Sequence, residues 1–215
     1  MTEQEYVKRL ANEAHDTVDL LSSQRKGELE RRVCAAFLRC LRVDFSPEEI
    51  ATPESDPPDV VFRGARFEVM TVLDEGRKMQ ADWKNEASRR DAAETLEDLG
   101  EPYTPSVAMP AGEVVFLVNT ELNKKASHYG SKTCSGLDAL VYLNLLKSHL
   151  YPLSDVKVPL ELRSQGWRSV CFVFPPCSSV VCATPEAPNF LRQLHGQVRM
   201  CDLQQWQIWD RMFDI

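Results

Sequence analysis

Pro57-Pro58-Asp59-Val60-Val61-Phe62-Arg63-Gly64-Ala65-Arg66-Phe67-Glu68-Val69-Met70 is the stretch that decides the fold, because its turn residues fix which side chains face one another. Arg63-Gly64 between two apolar runs reads as the two-residue turn of a β-hairpin, with residues 65–73 as a long second strand. With that turn Phe62 faces Ala65, Val60 faces Phe67 and Asp59 faces Glu68. Directly opposed cross-strand residues have Cβ atoms about 4.5–5.5 Å apart, where like charges are destabilising. A divalent cation held by both carboxylates removes the conflict. The plainer alternative has Asp59 capping the strand and Glu68 pointing to water.

Upstream, residues 3–21 and 23–42 read as helices. The second carries Val33, Cys34, Phe37, Leu38 and Leu41 as one apolar stripe at helical spacing. Glu30 precedes Val33 by three and Cys34 by four, so it points along the same face. A carboxylate at the margin of a buried face needs a partner or it protonates. The alternative is a half-exposed Glu30 near the helix start, held by the positive end of the dipole. The carboxylates of Asp59 and Glu68 are expected to turn toward this part of the helix.

Downstream the pattern is mixed. Val43-Asp44-Phe45 reads as a short strand, residues 46–58 as an acidic, proline-marked connection and residues 76–99 as a charged helix. Residues 113–118 look like a strand or a short buried element, and 121–129 like a short helix bearing Lys124, Lys125 and His128. Residues 137–146 are apolar around Asp138, and periodicity leaves strand and helix open. Residues 167–174 and 178–183 read as strands separated by Pro175-Pro176, residues 187–194 as a helix and 197–202 as a last strand. Leu203, Trp206, Trp209 and Phe213 recur at helical spacing; they cover core surface or form a homodimer contact.

At 215 residues and 43% hydrophobic content one large domain or a domain with appendages is expected, with a real core, which excludes a disordered or fibrous class; a single domain over 1–215 is the reading taken. No cationic leader and no apolar run of membrane-spanning length is visible, so a cytoplasmic, non-membrane protein is expected. The seven cysteines lack a C-x-x-C pair and read as reduced core residues. The net charge of −7 argues against a generally basic nucleic-acid coat. Charge is nevertheless uneven: six bases face two acids between Ser22 and Arg42, whereas residues 74–101 carry nine acids against five bases. The four isolated histidines form no H-x-x-x-H pair, and no G-x-S-x-G elbow, P-loop or G-x-G-x-x-G is present.

Glu30 on a helix, followed by Asp59 and Glu68 on a hairpin, is the order in which PD-(D/E)XK nucleases present a metal site. Phosphodiester cleavage needs a water deprotonated near neutral pH and a developing charge neutralised, and carboxylate-held Mg²⁺ does both. Beyond this order, the stretches at 57–62, 67–69, 72–77 (Val-Leu-Asp-Glu-Gly-Arg), 124–126 (Lys-Lys-Ala) and 165–169 (Gln-Gly-Trp-Arg-Ser) resemble a small bacterial family labelled "putative endonuclease" of unknown function (domain of unknown function 1780), held to be a distant PD-(D/E)XK relative. The resemblance runs from the second helix to residues 187–192. It implies an α/β fold with a restriction-endonuclease-like three-layer core, in which a mixed, mainly four-stranded central sheet is flanked by helices. The core would span about 23–146 and a C-terminal elaboration about 147–215. The implied activity is metal-dependent hydrolysis of nucleic acid, with Mg²⁺ or Mn²⁺ on Asp59, Glu68 and Glu30.

One departure matters. The superfamily pattern has Lys two residues after the Glu, and here that residue is Met70. A cation relocated from Arg66, Arg77, Lys78 or Lys84 is expected to serve, with Arg77 or Lys78 reaching back toward Glu68 and Lys78 taken as the catalytic one. Arg66, Arg77, Lys124 and Lys125 are the candidate contacts to nucleic-acid phosphates. The rival is a non-catalytic binding or interaction protein that kept the scaffold and lost the lysine. A weaker alternative is unrelated chemistry in a pocket near Trp167.

Overall fold

The computed structural model describes residues 1–100, 105–150 and 166–201. Helix α1 (Glu3–Leu20) starts at a capping box: Glu5 N donates to Thr2 Oγ1 (3.2 Å) and Thr2 N to Glu5 Oε2 (2.6 Å). Helix α2 (Lys26–Cys40) buries Glu30, Val33, Cys34, Ala36, Phe37, Leu38 and Cys40, so the stripe legible in the sequence is the face it presents to the sheet. Next come β1 (Val60–Phe62), β2 (Ala65–Leu73), α3 (Met79–Asp91), β3 (Val107–Met109), α4 (Ala111–Tyr129), α5 (Ser131–Cys134) and β4 (Asp138–Asn144). The described chain closes with β5 (Ser148–Leu150), β6 (Ser169–Phe174), β7 (Cys177–Ala183), α6 (Asn189–Gln193) and β8 (Gln197–Met200).

Among the described residues the main sheet is mixed and has six strands in the order β1-β2-β4-β6-β7-β8, two more than the expected four. The β1/β2 hairpin is antiparallel, β2/β4 and β4/β6 are parallel, and β6/β7 and β7/β8 are antiparallel. Strands β4 and β6 lie in the middle, and every residue of β6 is buried. Such strands read as unbroken apolar runs because both their faces are covered. On one face Leu140, Cys171 and Val180 pack with Phe37, Phe62 and Phe67; on the other Ala139, Val141, Leu143 and Phe172 pack with Val114, Val118 and Leu122 of α4. The result is three layers, α2 over the sheet and the sheet over α4. A separate two-stranded parallel sheet joins β3 and β5. Helix α3 packs on α1, with Arg90 donating to Leu10 O (3.0 Å).

Several expectations are corrected. Residues 43–45 form no strand; Val43 N closes the end of α2 on Leu38 O (2.9 Å). The charged helix stops at Asp91, because Asp98 takes the N–H groups of Glu94 and Thr95 and so competes with helical bonding. Residues 113–118 are not a strand but the first turns of α4, which continues through Tyr129. Strands β6 and β7, assigned to a C-terminal elaboration, are integral to the sheet. As expected, all seven cysteines are buried free thiols. Leu203, Trp206, Trp209 and Phe213 lie outside the described residues. Among those described, no helix is long and apolar enough to cross a membrane.

Candidate functional site

The hairpin turns at Arg63 (φ 43°) and Gly64 (φ 81°), the two successive positive φ angles that a tight primed turn requires. Arg63 tolerates its strained backbone while its guanidinium grips Glu49 (2.7 and 2.9 Å). The register follows: Val60 pairs with Phe67, Val61 with Arg66 and Phe62 with Ala65. The ladder ends at Val60: Asp59 N also donates to Phe67 O (3.0 Å), one residue off the partner that this register would give it. The Asp59 and Glu68 carboxylates still come together, with one oxygen of each within 4.8 Å of the other, and both residues are buried.

A second set of bonds locks this register from the middle of the sheet. Asp138, fully buried at the start of β4, accepts from Arg66 N (2.8 Å), Ser169 Oγ (2.7 Å) and the Arg168 guanidinium, which in turn donates to Gly64 O (2.9 Å). Turn, β4 and β6 are thus tied at one point.

Each carboxylate of the hairpin is met by a different ammonium. Asp59 Oδ1 accepts from Lys26 Nζ (3.0 Å) and Oδ2 from Val69 N (2.9 Å). Lys26 also reaches Glu30 Oε1 (3.1 Å), which brings Glu30 into the cluster. Glu68 Oε1 accepts from Lys125 Nζ (2.6 Å) and Tyr129 Oη (2.9 Å), both on α4. Glu68 Oε2 is buried and has no hydrogen-bond partner among the described residues. Asp56, exposed, completes the group: one carboxylate oxygen each of Asp56, Asp59 and Glu68 lies within 4.8 Å of the others.

The electrostatics follow from this crowding. Burial, then the charge of Asp59, pushes the Glu30 carboxyl up to about 7 against the pull of Lys26. Burial also raises Glu68, opposed by Lys125 and reinforced by Asp59. For Lys26 and Lys125 burial works against the charged form, but the carboxylates they bind outweigh it and raise both. Both ammoniums are therefore held firmly protonated.

The residues singled out in the sequence separate into two groups. Glu30, Asp59 and Glu68 come together, and Lys125 joins them at Glu68 rather than standing apart for phosphates. Arg77 does not reach back: it is held by Asp82 (2.7 Å) and by the backbone and side-chain oxygens of Asn144 (2.7 and 3.1 Å). Lys78 stands exposed at the start of α3 and makes no ion pair among the described residues. Arg66 is exposed on β2, and Lys124 pairs with Glu121. Met70 is buried in the α4-side core, so the usual lysine position is filled by packing. Asp56, Lys26 and Tyr129 were missed. The available signal was the four-residue spacing of Lys26 to Glu30 and of Lys125 to Tyr129, one helical turn each.

A mixed sheet covered on both faces by helices, with a buried carboxylate–ammonium cluster where its edge hairpin meets α2 and α4, defines an α/β protein with an acidic site. The chain belongs to the family described as "Putative endonuclease, protein of unknown function (DUF1780)", whose profile matches residues 2–205. It is also similar to a solved protein of unknown function from Pseudomonas aeruginosa strain PAO1, described as of the monooxygenase superfamily, with 32% identity over 96% of this chain and 99% of that chain and a TM-score of 0.67. None of the curated proteins compared matches the chain.

Proposed function

We propose that the chain is a PD-(D/E)XK-type, metal-dependent nuclease that hydrolyses phosphodiester bonds in nucleic acid. The observation that carries the reading is Glu68 Oε2, a buried oxygen without a partner among the described residues, on a carboxylate that groups with those of Asp59 and Asp56. Burial of such an oxygen costs free energy unless something positive meets it. Carboxylate oxygens are the ligands that Mg²⁺ and Mn²⁺ prefer, and the donor set therefore fits them. The order of elements supports the same reading: helix with Glu30, hairpin with Asp59 and Glu68, helix α4, then a strand parallel to β2. The family description points the same way.

Asp59, Glu68 and Asp56 would hold the cation, with Glu30 as a further ligand or a support for its water. Bound there, the ion supplies an acidified water and neutralises charge developing on the phosphate. Lys125 takes the role of the lysine absent at Met70. Its ammonium, anchored on Glu68 Oε1 beside Tyr129, stands at the metal ligand and can give a hydrogen bond to a phosphate oxygen or to the attacking water. Arg66 and Lys124, both exposed, are the groups available to backbone phosphates. The Pseudomonas protein's superfamily label would instead bring oxygen-transfer chemistry to this chain, but a cluster whose three grouped ligand atoms are all carboxylate oxygens favours a hard divalent ion.

Purified protein incubated with Mn²⁺ and single-stranded DNA, double-stranded DNA or RNA, beside an Asp59→Ala control, tests the reading. Cleavage that disappears with chelator and in the control is expected. Intact substrates in every arm would overturn it.

A further inference from the structure

Lys26 occupies a particular place. Its Nζ lies 3.0 Å from Asp59 Oδ1 and 3.1 Å from Glu30 Oε1, between two carboxylates whose side chains are 4% and 9% exposed. Two-metal phosphodiesterase sites hold their ions about 3.5–4 Å apart, with a carboxylate shared between them. Here Asp59 is the shared carboxylate: on one side it stands beside Glu68 and Asp56, and on the other an ammonium already links it to Glu30.

We propose that Lys26 is a built-in substitute for a second divalent cation, so that the site takes one ion, among Asp56, Asp59 and Glu68. The inference rests on the metal-site reading above. Charge supports it. With all four carboxylates ionised, Asp56, Asp59, Glu68 and Glu30 bring four negative charges and Lys26 and Lys125 two positive ones, a deficit that one divalent ion closes. Without Lys26 the deficit is three, and Asp59 and Glu30 face each other as an open oxygen-lined pair. Geometry supports it too. The Lys26 side chain is 62% exposed and reaches the pair from the protein surface, so its ammonium can be removed without opening the core.

The test is the stoichiometry of Mn²⁺ bound to the full chain. It is read by calorimetry and by the paramagnetic resonance of free Mn²⁺, at pH 8. The parent and Lys26→Arg should bind one ion, Lys26→Met two, and Lys26→Met/Glu30→Gln one again. Lys26→Gln provides a second neutral variant should the methionine protein fail to fold. A parent that binds two ions, or a neutral variant that still binds one, would overturn the role of Lys26 while leaving the metal site standing. A parent that binds none would remove the metal-site reading and this inference together.

Discussion

Lys125 Nζ lies 2.6 Å from Glu68 Oε1 although the two residues are 57 positions apart. The contact exists because β2 runs parallel to β4, and the connection between parallel strands must cross a face of the sheet. Helix α4 makes that crossing, and its last turns bring Lys125 and Tyr129 over Glu68. An ammonium thereby stands over the strand that carries Met70.

Lys125→Met should lower turnover by about 10²–10⁴, the usual worth of acid–base assistance. Lys78→Ala should leave turnover at the parent level. Rates at saturating Mn²⁺ check both, and the reverse pattern would return the role to the start of α3.

Divalent ions should raise the melting temperature of the parent. The linkage contribution reaches about 2.7 kcal/mol at a hundredfold excess over Kd. Glu68→Gln should lose most of that gain, yet melt no lower than the parent without metal, because its neutral amide escapes the cost of ionising a buried carboxyl. Thermal melts of both proteins with and without Mn²⁺ read the two effects separately.

Stability of the metal-free protein should depend on pH with an unusual sign. The Glu30 carboxyl, near 7 when folded against 4.5 in the open chain, binds its proton more tightly in the native state. Between these values the native state carries more protons, so this group destabilises the fold as pH rises from about 4.5 to 7 and stabilises it on the way down. Glu68, also raised, adds in the same direction. Below that window Glu28 and Glu86, held low against their own burial by arginine partners, act oppositely and stability falls again. Urea unfolding across pH 5–8 should show a shallower slope for Glu30→Gln than for the parent.

Asp138→Ala should cost about 3–5 kcal/mol, the range for breaking a buried ion pair by removing one partner. Ser169 Oγ and Arg66 N would lose their acceptor, and the Arg168 guanidinium would keep only Gly64 O. Denaturant unfolding measures the loss directly.

The hairpin was legible in the sequence because turn chemistry and alternation are local, and a register error would have turned every apolar side chain to the wrong face. Glu30 was legible by its place on an apolar stripe. Helix α4 was not: Val114, Val115, Phe116, Leu117 and Val118 form a run that a buried strand and a helix write alike, and only Phe116's exposure beside buried Val114 and Val118 separates them. Lys78 was chosen for closeness in sequence to the end of β2. Glu68 lies five residues from that end, about 17 Å at the rise of a strand, which takes Lys78 out of reach. Lys26 and Lys125 meet their carboxylates only through tertiary packing, and Asp56 was read as part of a connection because its neighbours are prolines.

Arg168, bonded to Gly64 O and to Asp138, has a consequence for synthesis. The chain emerges from its N-terminus, so Glu30, Asp56, Asp59 and Glu68 are all made before Arg168, the arginine that pins the hairpin to the sheet. Until that arginine and Ser169 arrive, Asp138 lacks its side-chain partners and β4 has an open edge. A partly made chain carries every acidic group of the site without the fixed spacing between them, which comes only once β6 joins the sheet.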